Sequence, residues 1–420
     1  MVQSVNAACS SHAYRYPMQR KLDLRTGKTV WLAYRAPSVP ADNLTRDIQC
    51  DVLVVGMGIS GAMIAEALTA AGHSVVAVDR RRPMAGSTSA TTALVQYEID
   101  QPLTVLTRQV GADKARRAWR RSRLAVSNLH GRIADLELNC RAGLRPSLYL
   151  AGNAMTPSDL KAESAARRAI GINCRYLTRS AVMDEFGIDR EAAILSQGNI
   201  ALDPRKLTAG MLLHARERGA RLYQHVEVTD IESGSGGVTA QTSSGAVIRS
   251  RYLVLATGYE LLDMVPLKKH RIISTWAMAT RPQPKAIWPR QAFIWEASDP
   301  YLYLRATHDG RVICGGEDEE FADEDKRDAL MSRKVEAIRK KLSQLLPHID
   351  TTPDHAWAGS FGATDTGLPY IGAIPHHPRM LAVMGYGGNG ITYSQLASEI
   401  ITTTLAGKAD ADADLFAFDP

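Results

Sequence analysis

The apolar positions of this chain follow three spacings, and each spacing predicts a different element. Short continuous apolar runs stand at Asp51–Val55, Ser74–Val78, Tyr252–Ala256 and Met380–Met384. Runs of that length between turn residues predict buried strands. Apolar residues three and four apart predict helices over Ser60–Ala71, Ala112–Leu138, Ser158–Ile170, Thr178–Phe186, Leu207–Arg218, Asp323–Leu346 and Ile391–Ala406. Between them, Arg221–Ile231, Val238–Thr242 and Ala246–Ser250 predict a small meander. Arg271–Arg281, Ala292–Ala297, Tyr301–Ala306 and Arg311–Gly315 predict antiparallel strands, with a hairpin turn at His308-Asp309-Gly310. Thr29–Tyr34 reads as a strap across the surface or as part of a loose arm.

The first two apolar runs carry chemistry. The stretch Asp51–Asp79 is strand, glycine turn, helix, strand, with an acid ending the second strand. Gly56, Gly58 and Gly61 fit G-x-G-x-x-G. The first permits the tight turn, the second lets backbone approach a pyrophosphate, and the third lets helix pack on strand. Ile59 and Ser60 open the helix, whose free N–H groups favour phosphate. Asp79 is placed to accept hydrogen bonds from a ribose diol. All four parts in one unit of about 30 residues define a dinucleotide site.

Composition changes this picture little. The chain has 420 residues, a net charge of +6 and a pI near 9.0, which raises nucleic acid or anionic membrane as partners. The densest basic run, Arg116 to Arg123, falls mainly on the solvated side of a helical pattern, and no nucleic-acid-reading motif accompanies it. No apolar run spans a bilayer, and the first residues lack the apolar core of an export signal. Five scattered cysteines with no C-x-x-C argue against a disulfide framework or a metal cage. The expectation is a cytoplasmic protein with no nucleic-acid partner, no integral membrane segment and no metal.

Taken together, DVLVVGMGISG with Asp79-Arg80, GSTSATTAL, EVTDI, ATG and GYGGNGIT resemble the FAD-dependent oxidoreductases of the D-amino-acid oxidase superfamily, over roughly Gln49 to Lys408. The resemblance implies an α/β protein. A Rossmann-type FAD-binding domain (48–100, 180–265 and 352–410) is interleaved with an α+β substrate domain built on an antiparallel sheet (101–179 and 266–351). An arm (1–47) and a tail (411–420) flank them. It implies that Gly56, Gly58, Ile59, Ser60 and Gly61 meet the pyrophosphate, and that Asp79 holds the ribose with Arg80 and Arg81 nearby. Ser87, Thr88, Ala90 and Thr92 line the pyrophosphate, ribityl and flavin region. Val228 meets adenine, and Ala256, Thr257 and Gly258 flank the nucleotide. Gly385, Gly387, Gly388, Asn389, Gly390, Ile391 and Thr392 approach the isoalloxazine, where a helix N-terminus favours the negative charge of reduced flavin. Asp79 repels the 2′-phosphate that an Arg80–Arg82 clamp would bind, and a nicotinamide enzyme has no use for the C-terminal glycine turn. FAD is therefore the expected cofactor. It is bound non-covalently, because no tether motif surrounds Cys314.

In this superfamily an amine or hydroxy carbon gives a hydride to the flavin. The resemblance therefore implies a small amine or amino-acid substrate and oxygen or a quinone as electron acceptor. A hydroxy acid or polyol phosphate is the alternative, or a flavin-binding subunit that needs a partner. Tyr301, Tyr303 and Arg305 alternate onto one face, and Arg305 is the candidate carboxylate clamp; a strand arginine in an ion pair is the other reading of it. Tyr97 and Glu98 follow the flavin loop. Glu98 is either an ammonium ligand or an ordinary carboxylate on a helix face. Tyr259 and His270 are weaker candidates.

Overall fold

A computed structural model describes residues 22–260, 265 and 270–418. Residues 1–21 of the predicted arm, Cys9 among them, and 419–420 of the tail lie outside the described residues.

Two sheets organise the chain. The first has eight strands. Ile48–Val55 lies at its centre, parallel to Val75–Asp79 on one side and Val247–Leu255 on the other. Arg221–Gln224 and His377–Met384 extend it in parallel, and Tyr370–Ile374 closes one edge antiparallel. Val52, Leu53 and Val54 are fully buried, as the uninterrupted apolar run requires. The helix Ile59–Ala70 is buried on nearly every side. It packs between Pro204–Glu217 and Gly390–Leu405, so an Ala-rich helix without a polar face suits it. Its buried Glu66 accepts from Arg132 Nε at 2.8 Å and also pairs with Arg218, tying three helices together.

The second sheet has ten strands in the main order Arg25–Gly27, Pro353–Thr364, His270–Thr280, Val312–Glu319, Leu302–Ala306, Phe293–Glu296, Gly143–Leu150, Ala192–Ala201 and Leu94–Val95. Cys174–Thr178 branches off Ala192–Ala201. All its pairs are antiparallel except Phe293–Glu296 with Gly143–Leu150. Leu103–Val110 and Ala112–Asp135 cross between the sheets, and the latter packs on Gly390–Leu405.

Several expectations are corrected. Sheet membership cuts across the predicted domain segments. Ala192–Ala201 and Pro353–Thr364, assigned to the nucleotide part, pair in the second sheet. Ala112–Asp135, assigned to the substrate part, packs on the nucleotide-side helices. Arg221–Ile231 is two strands, interrupted where His225 takes φ 56°. Asp323–Leu346 is two helices, Glu324–Ala329 and Met331–Leu345. Thr29–Tyr34 contains a short 3-10 turn whose Val30 and Trp31 are buried, with Trp31 Nε1 donating to the Thr91 carbonyl at 2.6 Å. Arg121 is not solvated. It is buried and paired with Glu399 and Asp410.

Candidate active site

An elongated cavity runs from Asp79 to the glycine turn before Gly390–Leu405. It opens at the C-terminal ends of the parallel strands, where ligands bind in open α/β sheets.

At the first end the glycines have separate jobs. Gly56 sits at φ +112°, and a Cβ there would lie 2.3 Å from the Ala256 carbonyl oxygen. A Cβ on Gly61 would lie 1.8 Å from the Gly56 carbonyl oxygen. Gly61 does not line the cavity; it sets the contact of helix on strand. Gly58 does line it, and a Cβ there meets only the Thr88 hydroxyl at 3.2 Å. Asp79 accepts from Met57 N and Arg81 N, each at 2.7 Å, which pins the turn. Burial pushes its carboxyl above the usual range, and those two N–H groups oppose the shift. Each oxygen retains accepting capacity toward a diol. Arg80 and Arg81 also line this end. Both pair with the buried Glu260, Arg81 through two bonds of 2.7 and 2.8 Å. Ile59, Ser60, Ser87, Thr88, Ala90, Thr92, Val228, Ala256, Thr257 and Gly258 lie along the same wall.

At the far end Gly387, Gly388, Asn389, Gly390 and Ile391 line the cavity, whereas Gly385 and Thr392 do not. Gly385 turns the chain at φ +72° against Thr364. Thr392 Oγ1 donates to the Gln96 carbonyl at 2.6 Å, and Asn389 Nδ2 to the Glu98 carbonyl at 2.7 Å. These bonds hold the 96–98 segment against the turn. Asn389 makes no side-chain cap to the helix it precedes, so the first N–H groups of that helix keep their capacity for an acceptor. The opposite wall is aromatic. Trp295 stacks on Tyr149 at 3.8 Å between ring centroids, and the rings of Tyr301 and Tyr303 lie 5.6 Å apart. The Tyr303 ring lies over Gly315, where a Cβ would come within 2.4 Å of its hydroxyl.

The structure brings Tyr303 to this chamber and keeps Arg305 out of it. Two residues farther along the strand the same face is roofed by Trp31, whose ring lies 5.5 Å from the guanidinium. Arg305 Nη1 donates to the carbonyls of Ala93 at 2.6 Å and Leu202 at 3.1 Å. It is neither a clamp at the cavity nor a member of a surface ion pair. Burial without a carboxylate partner pulls its guanidinium down to about 9. Tyr97 is also absent from the cavity wall; it is fully buried with Arg123 over its ring. Glu98 reaches the wall, but its two carboxylate oxygens are sealed from solvent and make no hydrogen bond. It lies outside any helix. Burial pushes that carboxyl up, and the buried Arg167 pulls the other way. Tyr259 lines the cavity; His270 and Cys314 do not.

Sequence reasoning passed over Asp100. Its side chain is open to the cavity, and its Oδ2 accepts from Gly388 N at 2.7 Å. A Cβ on Gly387 would come 2.3 Å from that oxygen, so the glycine is the condition of the contact. Trp295, Tyr386 and Gln96 were passed over too. Only the position of Tyr386 inside GYGGNG was a signal.

A glycine-turned helix N-terminus at one end, an acid at the end of the next strand beside it and a second helix N-terminus at the other fit a dinucleotide-dependent oxidoreductase. The chain belongs to the family described as DAO, FAD dependent oxidoreductase, which it matches over residues 51–404. It is 25% identical to the gamma-glutamylputrescine oxidoreductase of Escherichia coli over 382 residues, covering 88% of this chain and 87% of that protein. It is 24% identical to a glycine oxidase of Geobacillus kaustophilus over 390 residues, covering 86% and 94%. The crystal structure of glycine oxidase from Geobacillus kaustophilus superposes with a TM-score of 0.71 at 21% identity, covering 88% of this chain and 98% of that one. FAD is the cofactor of the family, and the long cavity between the two glycine turns fits it. No helix among the described residues is long and apolar enough to cross a membrane.

Proposed function

We propose that this chain oxidises the C–N bond of a small amine or amino acid, with FAD held non-covalently. The observation that carries the reading is the chamber between Gly387–Gly390 and the Trp295, Tyr301, Tyr303 wall, continuous with the nucleotide cleft. The relatives named for glycine and gamma-glutamylputrescine support the C–N bond as the target.

FAD, when bound, supplies a two-electron acceptor. The reacting nitrogen must be neutral, so that its lone pair forms C=N as the α C–H pair departs as hydride. A proton then leaves nitrogen, and water hydrolyses the imine to a carbonyl compound and ammonia, or an amine where the nitrogen is substituted. The residues contribute position and dryness. The aromatic wall excludes water and presses the substrate toward the glycine turn. Thr275 and Thr92 stand beside the Tyr303 hydroxyl. No arginine, lysine or histidine among the described residues lines the chamber end, which disfavours a polyol phosphate. Oxygen or a quinone takes the electrons from the reduced protein.

The test is anaerobic bleaching of the purified yellow protein by amines, amino acids and hydroxy acids. Bleaching by amines or amino acids supports the reading; bleaching by hydroxy acids alone overturns it.

A further inference from the structure

The chamber carries an unbalanced charge. Among the described residues the only basic side chains lining the whole cavity are Arg80 and Arg81, and both sit at the far nucleotide end, paired with Glu260. Arg305, on the strand face of Tyr303 but outside the cavity, spends its guanidinium on main-chain carbonyls. Against this, Asp100 opens into the chamber. One of its oxygens is held by Gly388 N–H, and Oδ1 accepts no hydrogen bond from the described residues. On the next wall Tyr301 donates to Asp318 Oδ2 at 2.7 Å, while Asp318 Oδ1 is buried without a partner. Beneath the floor lies the sealed, unpartnered carboxylate of Glu98, 2% exposed. Two acids thus line one aromatic chamber, and a third, Asp318, stands behind its Tyr301. The nearest cations stand behind them: Arg167 behind Glu98, and Lys334, bonded to Glu317 and Glu319, behind Asp318.

An enclosed carboxylate is costly unless a cation or donors meet it. A substrate carboxylate placed here would add a like charge, which suppresses binding. A protonated amine supplies what is missing: donors for the free oxygen and a cation for the faces of Tyr301, Tyr303 and Trp295.

We propose that the substrate is an aliphatic amine carrying a second, protonated ammonium group and no carboxylate, with that ammonium bound on Oδ1 of Asp100 beside Tyr301. This rests on the amine-oxidising reading above and narrows it. The two nitrogens divide the work: the distal one stays charged on Asp100, and the reacting one enters neutral.

A matched series tests this: 1,4-diaminobutane, butylamine and 4-aminobutanoate, which share a four-carbon chain and differ in the distal group. In anaerobic bleaching of the FAD-loaded protein, the half-saturating concentration should be lowest for the diamine. Butylamine should need about 10- to 100-fold more, the range a charge-assisted hydrogen bond spans, and 4-aminobutanoate more still. Asp100→Asn should collapse the diamine-to-butylamine preference by about the same factor. Calorimetric titration of the same proteins, without flavin, against 1,4-diaminobutane should show the same loss of affinity. If Asp100→Asn retains no flavin, the wild-type series alone decides. Preference for 4-aminobutanoate or glycine over the diamine overturns the proposal and leaves C–N oxidation standing. Bleaching by no amine and no amino acid overturns both.

Discussion

Gly58 and Gly61 stand three residues apart in one motif, yet the structure assigns them different failures on substitution by alanine. At Gly61 the new Cβ would sit 1.8 Å from the Gly56 carbonyl oxygen, a backbone atom that cannot rotate away. Restoring a tolerable contact near 3.0 Å means moving the helix start by the difference between these two distances, about 1.2 Å. Overpacking of this kind costs about 1–3 kcal/mol or more, and the same shift carries the helix N–H groups away from the pyrophosphate. Gly61→Ala should therefore lose both stability and cofactor. At Gly58 the Cβ meets only the Thr88 hydroxyl at 3.2 Å; that hydroxyl accepts from Ile59 N at 3.0 Å and need give by only a few tenths of an ångström, but the methyl projects into the cavity. Gly58→Ala should keep the apoprotein's melting temperature close to wild type. It should weaken FAD binding by the value of about one charge-assisted hydrogen bond, roughly 1.5–3 kcal/mol or 10- to 150-fold in Kd. The assay pairs thermal melts of both apoproteins with fluorescence titration of FAD. A Gly61→Ala protein as stable as wild type that binds FAD within threefold would refute the packing role. A Gly58→Ala protein with unaltered FAD affinity would refute the close approach.

Other expectations follow from the same coordinates. Burial raises the Asp100 carboxyl from 3.8 to about 6, Asp318 on the neighbouring strand reinforces the shift, and Gly388 N–H opposes it. A carboxyl raised on folding stabilises the fold fully below about pH 4 and loses that contribution by about pH 6. Melting temperatures of the apoprotein should therefore fall relative to Asp100→Asn as pH rises through that window, and a constant difference would argue against the enclosure. Arg305→Lys should lower the melting temperature, because the Nη1 bonds to Ala93 and Leu202 and the Nε bond to Ala306 come from one planar group that an ammonium does not match. It should shift the half-saturating amine concentration less than twofold; a tenfold rise would restore a role in substrate binding. Glu260→Gln leaves Arg80 and Arg81 partly buried without their carboxylate, a loss of about 3–5 kcal/mol in comparable buried pairs, measurable by urea unfolding. No change would mean that Glu227 and solvent suffice.

The nucleotide half was legible because its signal is local. Four consecutive apolar residues, three spaced glycines and an acid lie within one βαβ unit, and Gly56 and Gly61 answer to contacts within a few residues or at the end of the adjacent strand. The substrate half was not, because it is assembled from distant pieces. Ala192–Ala201 and Pro353–Thr364 are strands with nothing in their own pattern to say which sheet they join; that is settled by partners 43 to 94 residues away. The alternation that placed Arg305 on the face of Tyr303 was sound as geometry, but alternation cannot report that Trp31, more than 270 residues earlier, covers that face at one point and not the next. Asp100 carried no motif at all. Its meaning comes from Gly387 and Gly388, which meet it across 288 residues.

The edge strand Arg25–Gly27 has a consequence for biogenesis. It pairs with Trp357–Gly359, so the ribosome has delivered most of the protein before this strand finds its neighbour. Until then the nascent chain holds an unpaired edge and an unroofed Arg305, a state of high contact order that folds slowly and attracts strangers. Completion of the substrate chamber is thus a late event in the life of the molecule. A pulse-labelled chain should acquire protease resistance at Trp31 only after the C-terminal helix Gly390–Leu405 has left the exit tunnel.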